Sequence, residues 1–325
     1  MKPIQHVNAR TIAAAVQPDY EQAMFIAGGT DCLSILKNDV LPAYPEALVN
    51  LKTIPGLEYI REDAAGLRIG ALTTLAEIAG SPAVAAQYGC LAEATRSVAS
   101  PQIRNMGTLG GNLCQDVRCW YYRCSPLTGK NYVCQRKGGR LCYAVAGDNR
   151  YQAIMGGKGC FAVCPSDTAV ALAALDATLA VQGPEGERSI SLQEFYTPLG
   201  NTLKPHELVA EVRIPRPLEG ARQTFLKFRL RKAIDFALVS VASVITLEKG
   251  VCKDARIALG AVAPAPVRAS EAEAGLRGKN IDGARAEEAA LTALVGARPL
   301  KMNAYKVEIA KTLVKRAILA CTAVA

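Results

Sequence analysis

Residues 24–37 read Met24-Phe25-Ile26-Ala27-Gly28-Gly29-Thr30-Asp31-Cys32-Leu33-Ser34-Ile35-Leu36-Lys37. The apolar start predicts a short strand, the paired glycines a turn, and Cys32–Lys37 a helix. Adjacent glycines accept positive φ and close backbone approach, so successive N–H groups can converge on an anion at the helix N-terminus. The GxGxxG fingerprint of a Rossmann fold is absent. Taken alone, the motif is equally a plain tight turn.

Three more motifs extend the pattern. Thr108-Leu109-Gly110-Gly111-Asn112, after Arg104-Asn105, is a second paired-glycine turn that can meet a ligand or form a strand corner. Pro165-Ser166-Asp167 opens a helix, with Ser166 or Asp167 near its N-cap. Lys227 and Arg231 lie on or just after a strand.

Around these motifs, residues 1–55 read as a small α/β unit with a helix over 11–16 and a strand over 46–51. Residues 56–217 add two strands meeting at Asp63–Gly66, helical patterns over 75–87 and 91–99, a hairpin turning at Pro184–Gly186, and a strand through 206–215. The Pro-rich stretch 215–220 reads as a boundary. Residues 222–325 predict strands, then helices near 283–296 and 302–320. In the last helix Val307, Ile309, Leu313 and Ile318 are expected to pack into a core.

The chain of 325 residues can bury a large core. Its formal charge of +9 comes from scattered Lys and Arg, which reads as a solvated surface and not a nucleic-acid footprint. No apolar run is long enough to span a membrane, and the first residues lack a signal-peptide core. A cytoplasmic location is therefore expected, or a periplasmic one if a partner subunit carries the export signal. Eleven cysteines without an export signal point to metal binding before disulfides.

The motifs in this order resemble the FAD-binding subunits of the xanthine oxidase family of molybdenum hydroxylases. The resemblance covers nearly the whole chain, including the run around Ile54-Pro55-Gly56-Leu57, residues 69–75, and 236–242. It implies an α+β fold. A two-subdomain FAD-binding region of the vanillyl-alcohol oxidase type (1–55 and 56–217) would precede a C-terminal domain of the CO dehydrogenase flavoprotein type (222–325). It also implies that Ala27, Gly28, Gly29, Thr30 and Asp31 wrap the FAD pyrophosphate, and that Thr108, Gly111 and Asn112 line the dinucleotide. Asp167 would contact the adenosine part, and Lys227 would lie by the isoalloxazine.

Between Cys114 and Cys164 periodicity is lost and seven cysteines occur. A structureless insertion of that length needs something to pin it. Four thiolates from a long loop suit an iron–sulfur cubane; zinc is the rival, although its paired CxxC knuckles are missing, and unligated thiols are the other alternative. Flavin subunits of the family with a comparable insertion carry an extra [4Fe-4S] cluster. Their pattern falls on Cys119, Cys134, Cys142 and Cys160, with Cys124 or Cys164 able to replace a neighbour. Cys32, Cys90, Cys252 and Cys321 read as small buried hydrophobes. Trp120, Tyr121 and Tyr122 are expected to cover the cluster or an interface.

The expectation is an oxidoreductase subunit carrying FAD and [4Fe-4S]. The resemblance supplies the partners: a large subunit with the molybdenum cofactor, a small one with two [2Fe-2S] clusters, and an external electron acceptor or donor. Aldehyde oxidation is favoured by the run after Cys164. A 4-hydroxybenzoyl-CoA reductase-like enzyme, suggested by residues 110–116, and a non-enzymatic redox sensor are the alternatives. His6 and His206 lie outside every motif, so no acid–base role is assigned.

Overall fold

The computed structural model describes residues 1–17, 21–129 and 132–322. The first unit contains β1 (Gln5–Asn8), α1 (Ile12–Val16), β2 (Ala23–Ile26), α2 (Cys32–Lys37) and β3 (Ala47–Asn50). Its strands are parallel in the order β1-β3-β2, with Val49 opposite both Val7 and Phe25. Parallel neighbours need crossovers, and α1 and α2 lie on those connections. The Thr11 hydroxyl caps α1 by accepting from the Ala14 N–H. Val16, Val49, Leu51 and Ile54 pack with Leu208 and Ala210, so this sheet shares its core with the next unit.

The second unit begins with β4 (Ile60–Asp63) and β5 (Gly66–Gly70). It continues through α3 (Leu75–Gly80), α4 (Pro82–Gln87), α5 (Gly89–Arg96), α6 (Pro101–Met106) and α7 (Leu109–Cys114). The helical pattern over 75–87 divides at Ser81–Pro82, because proline holds the preceding residue extended, here at ψ 120°. Residues 108–112 differ from the expected turn. Thr108 is the N-cap of α7, accepting from the Gly111 N–H at 3.1 Å.

Among its described residues the insertion carries α8 (Trp120–Arg123) and short 3₁₀ turns at Pro126–Thr128 and Gln135–Lys137. After it come α9 (Asp167–Ala174), β6 (Thr178–Gly183), β7 (Gly186–Ser191) and α10 (Leu192–Phe195). Two-residue strands β8 (Tyr196–Thr197) and β9 (Gly200–Asn201) then lead to β10 (Leu208–Pro215). The second sheet is antiparallel, in the order β4-β5-β10-β6-β7. Every residue of α9 is buried, which explains why its sequence after Asp167 and Thr168 is apolar and mostly small.

The C-terminal unit comprises β11 (Arg222–Phe228), β12 (Val239–Glu248), β13 (Val251–Gly260), β14 (Val267–Arg268), α11 (Ser270–Leu276), α12 (Gly283–Ala293) and α13 (Tyr305–Thr322). Its antiparallel sheet follows chain order. Along β12, Val239, Val241 and Ile245 join the α12–α13 core while Ala242 and Val244 join the core around α9. A strand covered on both faces loses strict alternation and reads as mostly apolar, as residues 238–247 do apart from the small polar Ser240, Ser243 and Thr246. Leu313 and Ile318 are buried as expected, with Val307 and Ile309 partly so. α11 was not anticipated: its buried Glu273 binds Arg268 at 2.8 Å and the Ile257 N–H at 2.7 Å, a tertiary purpose invisible to periodicity. The whole is a mixed α/β architecture.

Candidate functional site: a two-lobed cleft beside a cysteine pocket

Both glycine motifs border a cleft with two lobes. One lobe, of about 370 Å³, is bordered by Phe25, residues 27–32, Leu113, Cys164 and Tyr196. The other, of about 290 Å³, is bordered by Ala99, Asn112, Asp167, Lys227, Ile234 and Phe236. Thr30, Asp31, Thr108, Gly111 and Pro165 border both, so the lobes adjoin at the two glycine motifs. An elongated two-part ligand fits that shape.

The two glycines of the first motif are required for different reasons. A Cβ on Gly28 would fall 1.8 Å from the Met106 carbonyl oxygen, because the end of α6 crosses directly over it. Gly29 has φ +70°, where side-chain-bearing residues are strained. The N–H groups of Gly28, Gly29, Thr30 and Asp31 have no partner among the described residues. Four successive unsatisfied donors bordering a cleft at a helix start are the arrangement a pyrophosphate requires.

The second motif works otherwise. The Leu109 and Gly110 N–H groups donate to the carbonyls of Thr73 and Ala71, at 3.0 and 2.8 Å. Gly110 presses on Ala71, where a Cβ would meet another Cβ at 2.9 Å. These donors are therefore spent on packing, and the motif offers Gly111 and the Asn112 side chain to the cleft. Asn112 Oδ1 accepts from the hydroxyls of Ser166 and Thr168, both at 2.7 Å, which fixes α7 to the start of α9. Ser166, not Asp167, caps α9, accepting from the Ala169 N–H.

Asp167 points instead to Lys227, whose Nζ donates to its Oδ2 at 2.6 Å and to the Ser97 carbonyl at 3.1 Å. Burial pushes the Asp167 carboxyl above its usual range, and the Lys227 ammonium pulls it back. The sequence reading gave these two residues separate contacts with the dinucleotide; in the structure their side chains pair directly. Both belong to the second lobe. Arg231 stands apart in an exposed pair with Asp235.

The Asp31 side chain is engaged by the protein itself. Its carboxylate accepts from Arg118 and Arg123, each at 2.7 Å, and from the Asp116 N–H at 2.8 Å. The glycine motif is thereby tied to the insertion. Burial lowers Arg118 to about 10 despite the neighbouring Asp31 carboxylate. The sequence reading gave neither arginine a site role, because the carboxylate they hold lies more than eighty residues away.

Cys119, Cys134, Cys142 and Cys160 all border one small pocket, which Cys124 and Cys164 do not. Two of the sulfurs accept side-chain hydrogen bonds: Gln152 Nε2 donates to Cys119 Sγ and Arg136 Nε to Cys160 Sγ, each at 3.4 Å. Among the described residues, no three His, Cys, Asp or Glu side chains are arranged to hold a single metal ion. Four cysteines bordering one pocket, two of them with N–H donors to sulfur, are a donor set with which an iron–sulfur group would be compatible.

Tyr122 and Arg136 border both this pocket and the first lobe, so the two cavities share a wall. Trp120 is half exposed and packs edge-on against Tyr121 and Tyr151; Tyr121 in turn meets Tyr132 and Tyr143, which borders the pocket. Cys90, Cys252 and Cys321 are buried, but Cys32 and Cys114 border the first lobe.

Residues 3–217 match the FAD binding domain in molybdopterin dehydrogenase, and 224–321 the CO dehydrogenase flavoprotein C-terminal domain. The chain belongs to the FAD-binding subunits of the xanthine oxidase family of molybdenum hydroxylases. It is 38% identical to the aldehyde oxidoreductase FAD-binding subunit PaoB of Escherichia coli strain K12, covering 94% of each chain. It is 29% identical to the carbon monoxide dehydrogenase medium chain of Afipia carboxidovorans, over 92% of this chain and 88% of that one. The reconstituted CO dehydrogenase structure from Oligotropha carboxidovorans superposes with a TM-score of 0.80 at 26% identity, over 100% and 99% of the chains. Quinoline 2-oxidoreductase from Pseudomonas putida 86 gives 0.77 at 26% identity, over 99% and 97%. The protein is thus the FAD-binding subunit of an oxidoreductase complex. No helix among the described residues is long and apolar enough to cross a membrane.

Proposed function

We propose that this chain is the electron-transfer subunit of a heterotrimeric molybdenum hydroxylase that oxidises aldehydes to carboxylic acids. It would bind FAD through residues 1–55 and 56–217, carry a [4Fe-4S] cluster in the insertion at 114–164, and close the cleft with the unit at 222–325. Its partners would be a molybdenum-cofactor subunit and a small subunit with two [2Fe-2S] clusters, and electrons would leave to an external acceptor. The single observation that carries the reading is the pocket bordered by Cys119, Cys134, Cys142 and Cys160, one wall away from the flavin cleft. The likeness to the aldehyde oxidoreductase subunit over nearly the whole chain supports the substrate class.

FAD supplies a carrier that accepts and releases electrons, which no side chain of this cleft can do. The protein's part is to hold and orient it. The free N–H groups of Gly28 to Asp31 would bind the pyrophosphate, with Ala27 shaping the turn. Thr108, Gly111 and Asn112 would line the junction of the lobes, and Asp167 with Lys227 would form the polar end of the second lobe. The four cysteines would bind the cluster as thiolates, with Gln152 and Arg136 holding two sulfurs in place.

Purified protein should show a flavin band and a broad iron–sulfur shoulder, with about four irons and four sulfides per chain beyond any in partners. It should co-purify with a molybdenum subunit and oxidise aldehydes. Zinc without sulfide would sink the cluster, and a complex inert toward aldehydes would sink the substrate class.

A further inference from the structure

Arg136 follows Cys134 in the 3₁₀ turn Gln135–Lys137, and its side chain is only 8% exposed. Its Nε donates to Cys160 Sγ at 3.4 Å. Nη1 meets Asp116 Oδ1 at 3.3 Å and the Leu199 carbonyl at 3.2 Å, and Nη2 the Pro198 carbonyl at 3.1 Å. Leu199, with Tyr196, Gly200 and Asn201, borders the first lobe of the cleft. One guanidinium therefore spans from the cysteine pocket to the wall of the flavin cleft. Its one carboxylate partner among the described residues is shared, because the Tyr122 hydroxyl donates to the other oxygen of Asp116.

We infer that Arg136 is a positioning residue common to both redox sites, its fixed charge setting the reduction equilibria of FAD and cluster together. This rests on the cluster proposed above. Reduction adds negative charge to either centre, and a guanidinium does not lose its proton. Buried charge acts strongly because little water screens it. The N–H donated to Cys160 also withdraws electron density from the thiolate, and hydrogen bonds to sulfur are among the determinants of cluster potential. Gln152 provides the internal comparison: it donates to Cys119 but does not border the cleft.

The test is a redox titration of the holoprotein complex, following flavin by absorbance and cluster by electron paramagnetic resonance. Arg136→Gln should move both equilibria at least about tenfold toward the oxidised form, which is 59 mV for a one-electron couple and 30 mV for a two-electron couple. Arg136→Lys should restore most of both shifts, and Gln152→Leu should shift the cluster alone. If Arg136→Gln loses its iron, its flavin couple is compared with that of iron-free Cys134→Ser and must still fall. Unchanged potentials with iron and flavin retained would overturn the role of Arg136. Wild-type protein without iron and sulfide would overturn the cluster instead, leaving the flavin half to be judged by the same variant.

Discussion

Lys227 and Asp167 form a salt bridge at 2.6 Å whose side chains are 5% and 7% exposed, joining β11 of the C-terminal unit to the first residue of α9. Burying both charges is tolerable only because they meet and because Ser97 contributes its carbonyl and hydroxyl. The pair therefore both shapes the second lobe and clamps the two units.

Lys227→Met should lower the stability of the FAD-free protein by about 3–5 kcal/mol at neutral pH, the scale of stranding a buried charge. Without the ammonium, the carboxyl rises further above its unfolded value. The folded state then holds a proton that the unfolded state has lost, so stability falls as pH rises and recovers toward acid. Melting curves of the variant and the parent should converge as the pH is lowered. Parallel curves would show that Asp167 is not the group left stranded.

Gly28→Ala should be more damaging than Gly29→Ala. The first forces a methyl against the Met106 carbonyl, a clash with backbone that cannot rotate away. The second costs about 1–2 kcal/mol of left-handed strain and meets side-chain atoms of Leu33 and Ile26, with no backbone in the way. Flavin content of the purified variants, with their apo melting points, ranks the two. Equal retention of FAD would remove the close crossing of α6 as the reason for Gly28.

Serine at Cys119, Cys134, Cys142 or Cys160 should abolish the iron and sulfide, while serine at Cys124 or Cys164 should leave both. Cys164 borders the cleft and not the pocket. Metal analysis of all six variants decides the ligand set, and iron loss at Cys164 would reassign it.

Asp31→Asn should loosen the insertion before it affects flavin binding, since the carboxylate holds Arg118, Arg123 and the Asp116 N–H. Limited proteolysis should cut within residues 115–150 faster than in the parent, with FAD retained. Loss of FAD at unchanged proteolysis would show that the Asp31 carboxylate, and not only its N–H, acts at the flavin.

Lys306 is fully buried and donates to the carbonyls of Gln152 and Ala261, at 2.9 and 2.6 Å. Burial lowers its pKa from 10.5 to about 7. Between those values the unfolded chain holds a proton the folded one lacks, so this residue makes stability rise with pH across that window. Lys306→Met should flatten that part of the pH–stability curve, as chemical denaturation at several pH values would reveal. An unchanged slope would mean that Lys306 stays charged when folded.

Much of the secondary structure and the order of the motifs could be read along the chain. The strand before Gly28 and the helix Cys32–Lys37 follow from apolar grouping and glycine placement, and the start of α9 from Ser166. Caps and periods are local, acting over three or four residues, which is why they survive in a one-dimensional reading. The second glycine motif was misjudged as a turn because its helix is stabilised from outside, by the Thr73 and Ala71 carbonyls.

The sequence by itself determined the inventory: two glycine motifs, a cysteine-rich insertion, and the residue types able to hold a dinucleotide and a cluster. Tertiary structure alone decided their assembly. It turned Asp31 toward the insertion's arginines, paired Asp167 with a lysine sixty residues away, and made Tyr122 and Arg136 one wall between two cavities. The physical reason is that buried charges must find partners wherever packing brings them. No local rule of propensity or spacing records which distant residue that will be.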